Sequence, residues 1–274
     1  MKRLFQLLSA WPLPLLHFVG GALGWLAFLL SPTYRRRFRA NVAQAGYAFA
    51  DVKQAVAEAG RMIGEVPRLW FGATPEVHWE QGEMIRALRA EGRGIVFLTP
   101  HLGCFEVTAQ SYARQFGPVT VLYRPARKRW LQEVVATARE RPNLAAAPTT
   151  LAGVRQMLRT LKSGGAVGLL PDQVPPQGLG VWAPFFGRDA YTMTLPARLV
   201  QQTGATLLLV WGERLPRGRG YRVHVRRFEG ELAADPSAAA TQINAEMERM
   251  VREGPGQYLW GYARYKQPRV EAGG

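Results

Sequence analysis

The twenty residues Trp11 to Leu30, WPLPLLHFVGGALGWLAFLL, carry no fixed charge, and they set the first condition on any fold for this chain. As a helix the run is about 30 Å long, the thickness of a bilayer's hydrocarbon core. Left in water it would present a large contiguous apolar patch. Pro12, Pro14, Gly20, Gly21 and Gly24 read as interruptions of that helix. Basic residues stand on both sides, Lys2 and Arg3 before it and Arg35, Arg36, Arg37 and Arg39 after it. A spanning helix usually has its basic excess on one side. Two basic flanks favour a segment that dips into one leaflet and returns to anionic headgroups. A spanning helix and a hairpin buried in the core are the alternatives. LLSPTYRRRF offers no small-residue cleavage site of the secretory kind. Residues 1–40 are therefore expected to form a membrane-associating segment, and residues 41–274 a separate folded domain.

Downstream the hydrophobic pattern changes period repeatedly. Residues 53–70 place Ala55, Val56, Ala59, Ile63 and Val66 at helical spacing, with Pro67 kinking or ending the helix. EMIRALRAEGRG predicts a helix closed by Gly92, and IVFLT (95–99) a strand buried on both faces. VTAQSYARQFG reads as helix and PVTVLY as strand; RKRWLQEVVATARER is helical again. A helix capped by Thr149 or Thr150 stops at Gly164, AVGLLP follows as a strand, and LPARLVQQTG is a helix ending at Gly204. ATLLLVWGER is the next strand, YRVHVRRF alternates as an outer strand, and Asp235 caps a last helix that stops at Gly254-Pro255. The order predicts one mainly parallel or mixed α/β sheet with helices on its faces, without internal repeats or low-complexity linkers. In such sheets ligands sit beyond the carboxyl ends of strands.

One turn stands at that place with reactive side chains. GIVFLTPHLGCFEVTAQ (94–110) sets His101, Cys104 and Glu106 within six residues just past a buried strand. If a helix starts near Gly103, Glu106 lies on its first turn and can fold back to hold one imidazole nitrogen of His101. The other nitrogen can then accept a proton. The plain alternative is that Glu106 only favours the helix N-terminus and His101 only closes a strand. Cys104 is a rival nucleophile, since a cysteine at a helix start can be acidified, but small buried cysteines are common.

Three further blocks border the same sheet edge. Arg124 follows a strand in LYRPARKRW, where a guanidinium can hold a phosphate or a developing oxyanion. Asp172 and Gln173 follow a third strand. The Pro/Gly-rich loop after them carries Trp182, Phe185 and Phe186, which either line an apolar groove or pack as ordinary core. Arg139 and Arg141 are further cationic candidates, with a solvated helix end as the alternative. There is no His/Cys spacing for zinc, no phosphate-cradling glycine loop and no Gly-x-Ser-x-Gly elbow. His17, His78 and His224 stand in no carboxylate pattern. With 35 Lys plus Arg against 20 acids, the net charge of +15 calls for an anionic partner. The single cysteine excludes an internal disulfide.

Taken in order, HLGCFE, LYRP, LLPDQ with GVWAPFFG, and PGQYLWGYARYKQPR resemble the blocks of the bacterial lipid A late acyltransferases, the lauroyl/myristoyl acyltransferase family. The resemblance runs over nearly the whole chain. H-x4-E alone is unspecific, whereas the four blocks in this order are specific. The resemblance implies a fold like that of the glycerolipid acyltransferases, at the cytoplasmic face of a bacterial inner membrane. It implies transfer of an acyl chain from an acidic acyl carrier protein, or from coenzyme A, to a hydroxyl of a phosphorylated lipid A precursor or another glycolipid or lysophospholipid. Neither a bound cofactor nor a metal is implied, and no nucleic-acid partner is expected. It matches His101 to the catalytic histidine and Glu106 to its partner acid. Arg124, Arg139 or Arg141, Asp172, Gln173, Phe185, Phe186 and the adjoining Arg188 fall at substrate-binding positions. The family tail often reads Pro-Glu-Gln-Tyr. Here it is Pro255, Gly256, Gln257, Tyr258, and no catalytic work is expected of it.

Overall fold

The computed structural model describes residues 2–123 and 141–270. The helix expected over RKRWLQEVVATARER, and with it Arg124 and Arg139, lies outside the described residues, except for its last residue, Arg141. The chain opens with helices α1 (Lys2–Ser9), α2 (Leu13–Leu30), α3 (Pro32–Gln44), α4 (Phe49–Val52), α5 (Gln54–Gly64) and α6 (Val66–Phe71). Then come β1 (Val77–Trp79), α7 (Gly82–Ala90), β2 (Ile95–Leu98), α8 (Phe105–Gln115), β3 (Val119–Tyr123), β4 (Leu144–Pro148), α9 (Leu151–Lys162) and β5 (Ala166–Leu169). A hairpin of β6 (Gly180–Phe185) and β7 (Arg188–Met193) precedes α10 (Leu195–Thr203), β8 (Thr206–Arg214), β9 (Tyr221–Arg227) and α11 (Pro236–Glu253).

Seven strands form one sheet in the order β1-β9-β8-β2-β5-β3-β4. Every neighbouring pair is parallel except β8 with β9, so the fold is the expected mainly parallel, mixed α/β sheet flanked by helices. Strand side chains alternate between faces, and both faces here are covered. Val96, Leu98, Val167, Leu169, Leu207 and Leu209 point into one core with Met157 and Leu161 of α9, Leu199 of α10 and Met247 of α11. Ile95, Phe97, Ala166, Leu208 and Val210 point into the other, with Ile85 and Leu88 of α7 and Tyr112 and Phe116 of α8. That double burial is why these strands read as unbroken apolar runs. Thr150 caps α9 through a bond from Gly153 N (3.4 Å), and Asp235 caps α11 through one from Ala238 N (2.8 Å).

The stretch after Asp172 is partly a strand pair rather than a loop. β6 and β7 pair antiparallel across Phe186 and Gly187, whose φ values of 48° and 72° are those of a tight hairpin turn. Asn244 of α11 donates to Pro184 O (2.9 Å), and Phe186 N donates to Glu248 Oε1 (2.6 Å), fastening the hairpin to that helix.

The residues expected to interrupt α2 do not. Pro12 is its N-cap and Pro14 falls in its first turn, where a missing N–H is harmless. Gly20, Gly21 and Gly24 lie on its buried face against α5. A Cβ on Gly24 would come within 2.4 Å of Val56 O, and one on Gly60 within 2.0 Å of Gly20 O. Glycine at both positions therefore lets the two helix backbones touch, the close-approach pattern of small residues four apart. The opposite face of α2 exposes Leu15, Phe18, Val19, Leu23, Leu26, Leu29 and Leu30. By length and composition this helix is long and apolar enough to cross a membrane, yet 39% of it is buried in the protein.

This contact is testable by Gly60→Ala. Alanine gains roughly 1 kcal/mol of helix propensity. Overpacking costs about 1–3 kcal/mol, and with backbone atoms 2.0–2.8 Å from the new Cβ it should dominate. A lower Tm in thermal unfolding is expected; an unchanged or raised Tm would show that α2 and α5 do not meet there.

Candidate active site

β2 is the central strand, hydrogen-bonded to β8 on one side and β5 on the other. Leu98 stands opposite Leu169 in the parallel register of β2 and β5. Three residues beyond each of them, at the carboxyl edge, are His101 and Asp172. They meet twice. His101 N–H donates to Asp172 Oδ2 (2.8 Å), and His101 Nδ1 lies 2.9 Å from Asp172 Oδ1. Asp172 is 2% exposed. Burial raises its pKa, but the charge of His101, the two bonds from that residue and the charge of Arg264 outweigh burial and hold it below the usual carboxylate value. An ionised carboxylate there accepts a hydrogen bond from Nδ1–H, which in the neutral ring leaves Nε2 as the acceptor nitrogen. The Gln173 side-chain amide sits 3.1 Å from Nε2. Phe105 meets the His101 ring edge-on at 4.9 Å, and Tyr262 stacks parallel to it at 6.3 Å.

The carboxylate on His101 is thus not the one expected. Glu106 does fall in the first turn of α8, but it faces α6, where Trp70 Nε1 lies 3.3 Å from its Oε2. It lines a cavity of about 90 Å³ walled by Trp70, Phe97, Phe105, Tyr112 and Leu122. Phe105 borders both this cavity and the His101 ring, so the apolar space opens beside the base.

Cys104 is buried, and its thiol pKa is pushed well up, first by burial and then by the charge of Glu65. A thiol held protonated is a poor nucleophile. Phe185 and Phe186 are buried in the main core with Trp260 and Tyr265, away from the cavity beside His101. Arg188 stacks over Tyr265 at 4.7 Å. Arg141 donates to the carbonyls of Leu69 (2.6 Å) and Trp70 (2.7 Å) and to Gln110 Oε1 (3.2 Å), tying the end of α6 beside Glu106. Among the described residues no group of three or more His, Cys, Asp or Glu side chains could hold a metal ion.

The tail, of which no catalytic work is expected, frames the turn that carries His101. Leu259 N donates to His101 O and Gly103 N to Gln257 O, both 3.0 Å. Tyr262 Oη accepts from Val174 N (3.0 Å), two residues past Asp172. On the β8 side Cys104 N donates to Gly212 O (2.7 Å), and Arg214 Nη2 donates to Gly103 O (2.9 Å). Gly103 has φ +60°, and a Cβ there would lie 2.0 Å from Gly212 O, so the turn tolerates only glycine. Chain distance hid these contacts from the sequence; the aromatic density of 258–265 was the available signal.

A partly buried imidazole held by a buried carboxylate at the carboxyl edge of a parallel sheet is an arrangement that can take a proton from a nucleophile. Comparison with known proteins gives that arrangement its reaction. The family described as bacterial lipid A biosynthesis acyltransferase matches residues 3–267, and the chain belongs to it; it is an O-acyltransferase. The lipid A biosynthesis palmitoleoyltransferase of Escherichia coli (strain K12) is 26% identical over 269 residues, covering 93% of this chain and 86% of that protein. The lauroyltransferase of the same strain is 27% identical over 216 residues, covering 76% and 69%. Its myristoyltransferase is 25% identical over 193 residues, covering 68% and 58%.

Beneath the turn, Arg214 also binds Glu65 through two bonds of 2.7 Å. Burial raises the Glu65 pKa, but the charge and bonds of Arg214, followed by those of His17, bring it down from 4.5 to about 2. A carboxyl with a depressed folded-state pKa stabilises the fold above its unfolded value, and that stability is lost as pH falls toward the folded one. Wild-type stability should therefore drop as pH falls from about 4.5 to about 2, by on the order of 3 kcal/mol from this group. Glu65→Gln should be less stable at neutral pH and flatter across that window in denaturant titrations. Equal slopes for the two proteins would refute the assignment.

Proposed function

We propose that this protein transfers a fatty acyl chain from an acyl-carrier-protein thioester to a hydroxyl of a lipid A precursor, with His101 as general base and Asp172 as its orienting acid. The observation that carries this reading is the pair of hydrogen bonds between His101 and Asp172, which leaves Nε2 facing Gln173 at the exposed edge, with Phe105 between the ring and an apolar cavity. The names of the relatives supply the acyl and lipid A chemistry.

The acceptor hydroxyl gives its proton to Nε2 as its oxygen attacks the thioester carbonyl carbon. The tetrahedral oxyanion needs a donor, and the Gln173 amide beside Nε2 is in place to supply one. Collapse of the intermediate breaks the C–S bond. The departing thiolate takes the proton from Nε2, so the ester and the free carrier thiol form without a covalent enzyme intermediate. Glu106 polarises the mouth of the acyl cavity, and its indole bond fixes it there. The exposed apolar face of α2 beds into the membrane leaflet that holds the acceptor, and the basic surplus draws in the acidic carrier protein and the acceptor's phosphates. Localisation at the cytoplasmic face of the inner membrane follows from this reading.

His101→Ala and Asp172→Asn should each lower kcat by roughly 10²–10⁴ in an acyl-carrier-protein-dependent assay, with far-UV circular dichroism unchanged. Cys104→Ser should keep its turnover. Retained activity in His101→Ala, or loss of activity in Cys104→Ser, would sink the mechanism.

A further inference from the structure

The mechanism leaves unused a heavily paired buried charge. Arg214, at the end of β8, is 4% exposed, and all three nitrogens of its guanidinium donate hydrogen bonds. Nε and Nη2 fork onto Glu65 at 2.7 Å each, Nη1 reaches Glu58 Oε2 at 2.7 Å, and Nη2 also donates to Gly103 O at 2.9 Å. Glu65 accepts further bonds from Tyr221 Oη (2.8 Å) and pairs with His17 Nε2 of α2 (3.0 Å). Glu58 is in turn paired with Arg61. Stability alone explains such a cluster poorly, because desolvating buried ions costs about what their attraction returns. Its geometry explains more.

The turn from His101 to Cys104 is gripped from two sides. On the β5 side, Asp172 holds the His101 amide and ring. On the β8 side, Gly212 O takes the Cys104 amide, and Arg214 takes the Gly103 carbonyl, two residues from the base. Arg214 is itself clamped along its backbone. Its N–H donates to Gln257 Oε1 (2.9 Å), and its carbonyl accepts from Gln257 Nε2 (3.2 Å). Gln257 O meanwhile accepts from Gly103 N. A planar, permanently charged fork that fits a carboxylate on one side and a carbonyl on the other fixes a distance that a point charge would not. Glu65 immediately precedes α6, and Trp70 of α6 bonds to Glu106 in the cavity wall.

We infer that Arg214, braced by Glu65, is a positioning residue: it sets the turn that carries His101 and locks the N-terminal helices to that turn. The inference rests on the acyltransferase reading and goes beyond it, because it assigns a kinetic role to an ion pair that touches no substrate.

The test is Arg214→Lys in the full chain, with acyl carrier protein thioester and lipid A precursor as substrates. Lysine keeps the charge and a bond to Glu65 but does not span Glu65, Glu58 and Gly103 O together. The expected result is a fall in kcat of roughly tenfold to a hundredfold with both KM values unchanged, the cost of a base displaced by a fraction of an ångström to an ångström. Leu88→Ala, in the α7 core and party to none of the bonds around Arg214, serves as a control for lost stability and should keep kcat. Where Arg214→Lys is not recovered folded, Glu65→Gln loosens one side of the fork and carries the same expectation. A kcat equal to wild type in the folded variant, or an equal fall in Leu88→Ala, overturns the inference. His101→Ala, assayed alongside, separates the two claims: if it stays active the acyltransfer mechanism fails, whereas if it is dead while Arg214→Lys is fully active only the positioning role fails.

Discussion

One carboxylate organises this site. Asp172 spends one oxygen on the backbone amide of His101 and the other on its ring. The first bond places the residue and the second orients the ring, so position and orientation are set by the same group. The meeting requires only that β2 and β5 be parallel neighbours in register, since His101 and Asp172 are equally far past Leu98 and Leu169. The sheet is thus the ruler for the site. The apolar alternation of β2, buried on both faces, keeps that ruler from slipping, because a one-residue shift would exchange the two cores.

The flanking strand β8 adds the second constraint. Arg214 and Gly212 stand on the far side of the turn from Asp172, and the tail crosses behind it through Gln257, Leu259 and Tyr262. A loop held only by Asp172 would be free to rotate about that bond. A loop also held at Gly103 O and Cys104 N is not. Because Arg214 leans on Glu65 and Glu58, the N-terminal helices belong to the same rigid frame. The glycine contact of α2 with α5 then makes the apolar helix part of the fold, with only its outer face left over.

What the sequence made legible follows from which forces are local. Buried strands and capped helices announce themselves in runs of a few residues, so β2, β5, β8, Thr150 and Asp235 were all readable. So was the placement of His101 past a strand. β1 was hidden by its three residues, β4 by its run of alanines, and the β6–β7 hairpin by Gly180 and Pro184. The partner of His101 was misread for a different reason. Glu106 is five residues away along the chain, and Asp172 is seventy-one. Only strand order, a nonlocal property, decides between them. The glycines of α2 were misjudged likewise, because their use depends on α5 passing close by.

The placement of charge also bears on the partner. Among the described residues the buried ionic groups are Arg214 and Arg264 with Glu58, Glu65, Asp172 and Glu246, two cations and four carboxylates. That buried set is net negative, so none of the chain's +15 surplus resides in it. Arg141 spends its charge on helix-end carbonyls beside Glu106, whereas Arg36, Arg37, Arg217 and Arg219 stand near the apolar N-terminal helices in sequence or in space, Arg219 with a bond to Pro216 O (3.3 Å). A cationic margin beside an exposed apolar helix face suits a surface that is anionic at its headgroups and hydrocarbon beneath. An amphiphilic acceptor with phosphates would present the same two features, so under the proposed function one surface would both seat the enzyme and concentrate what the proposed base acts on.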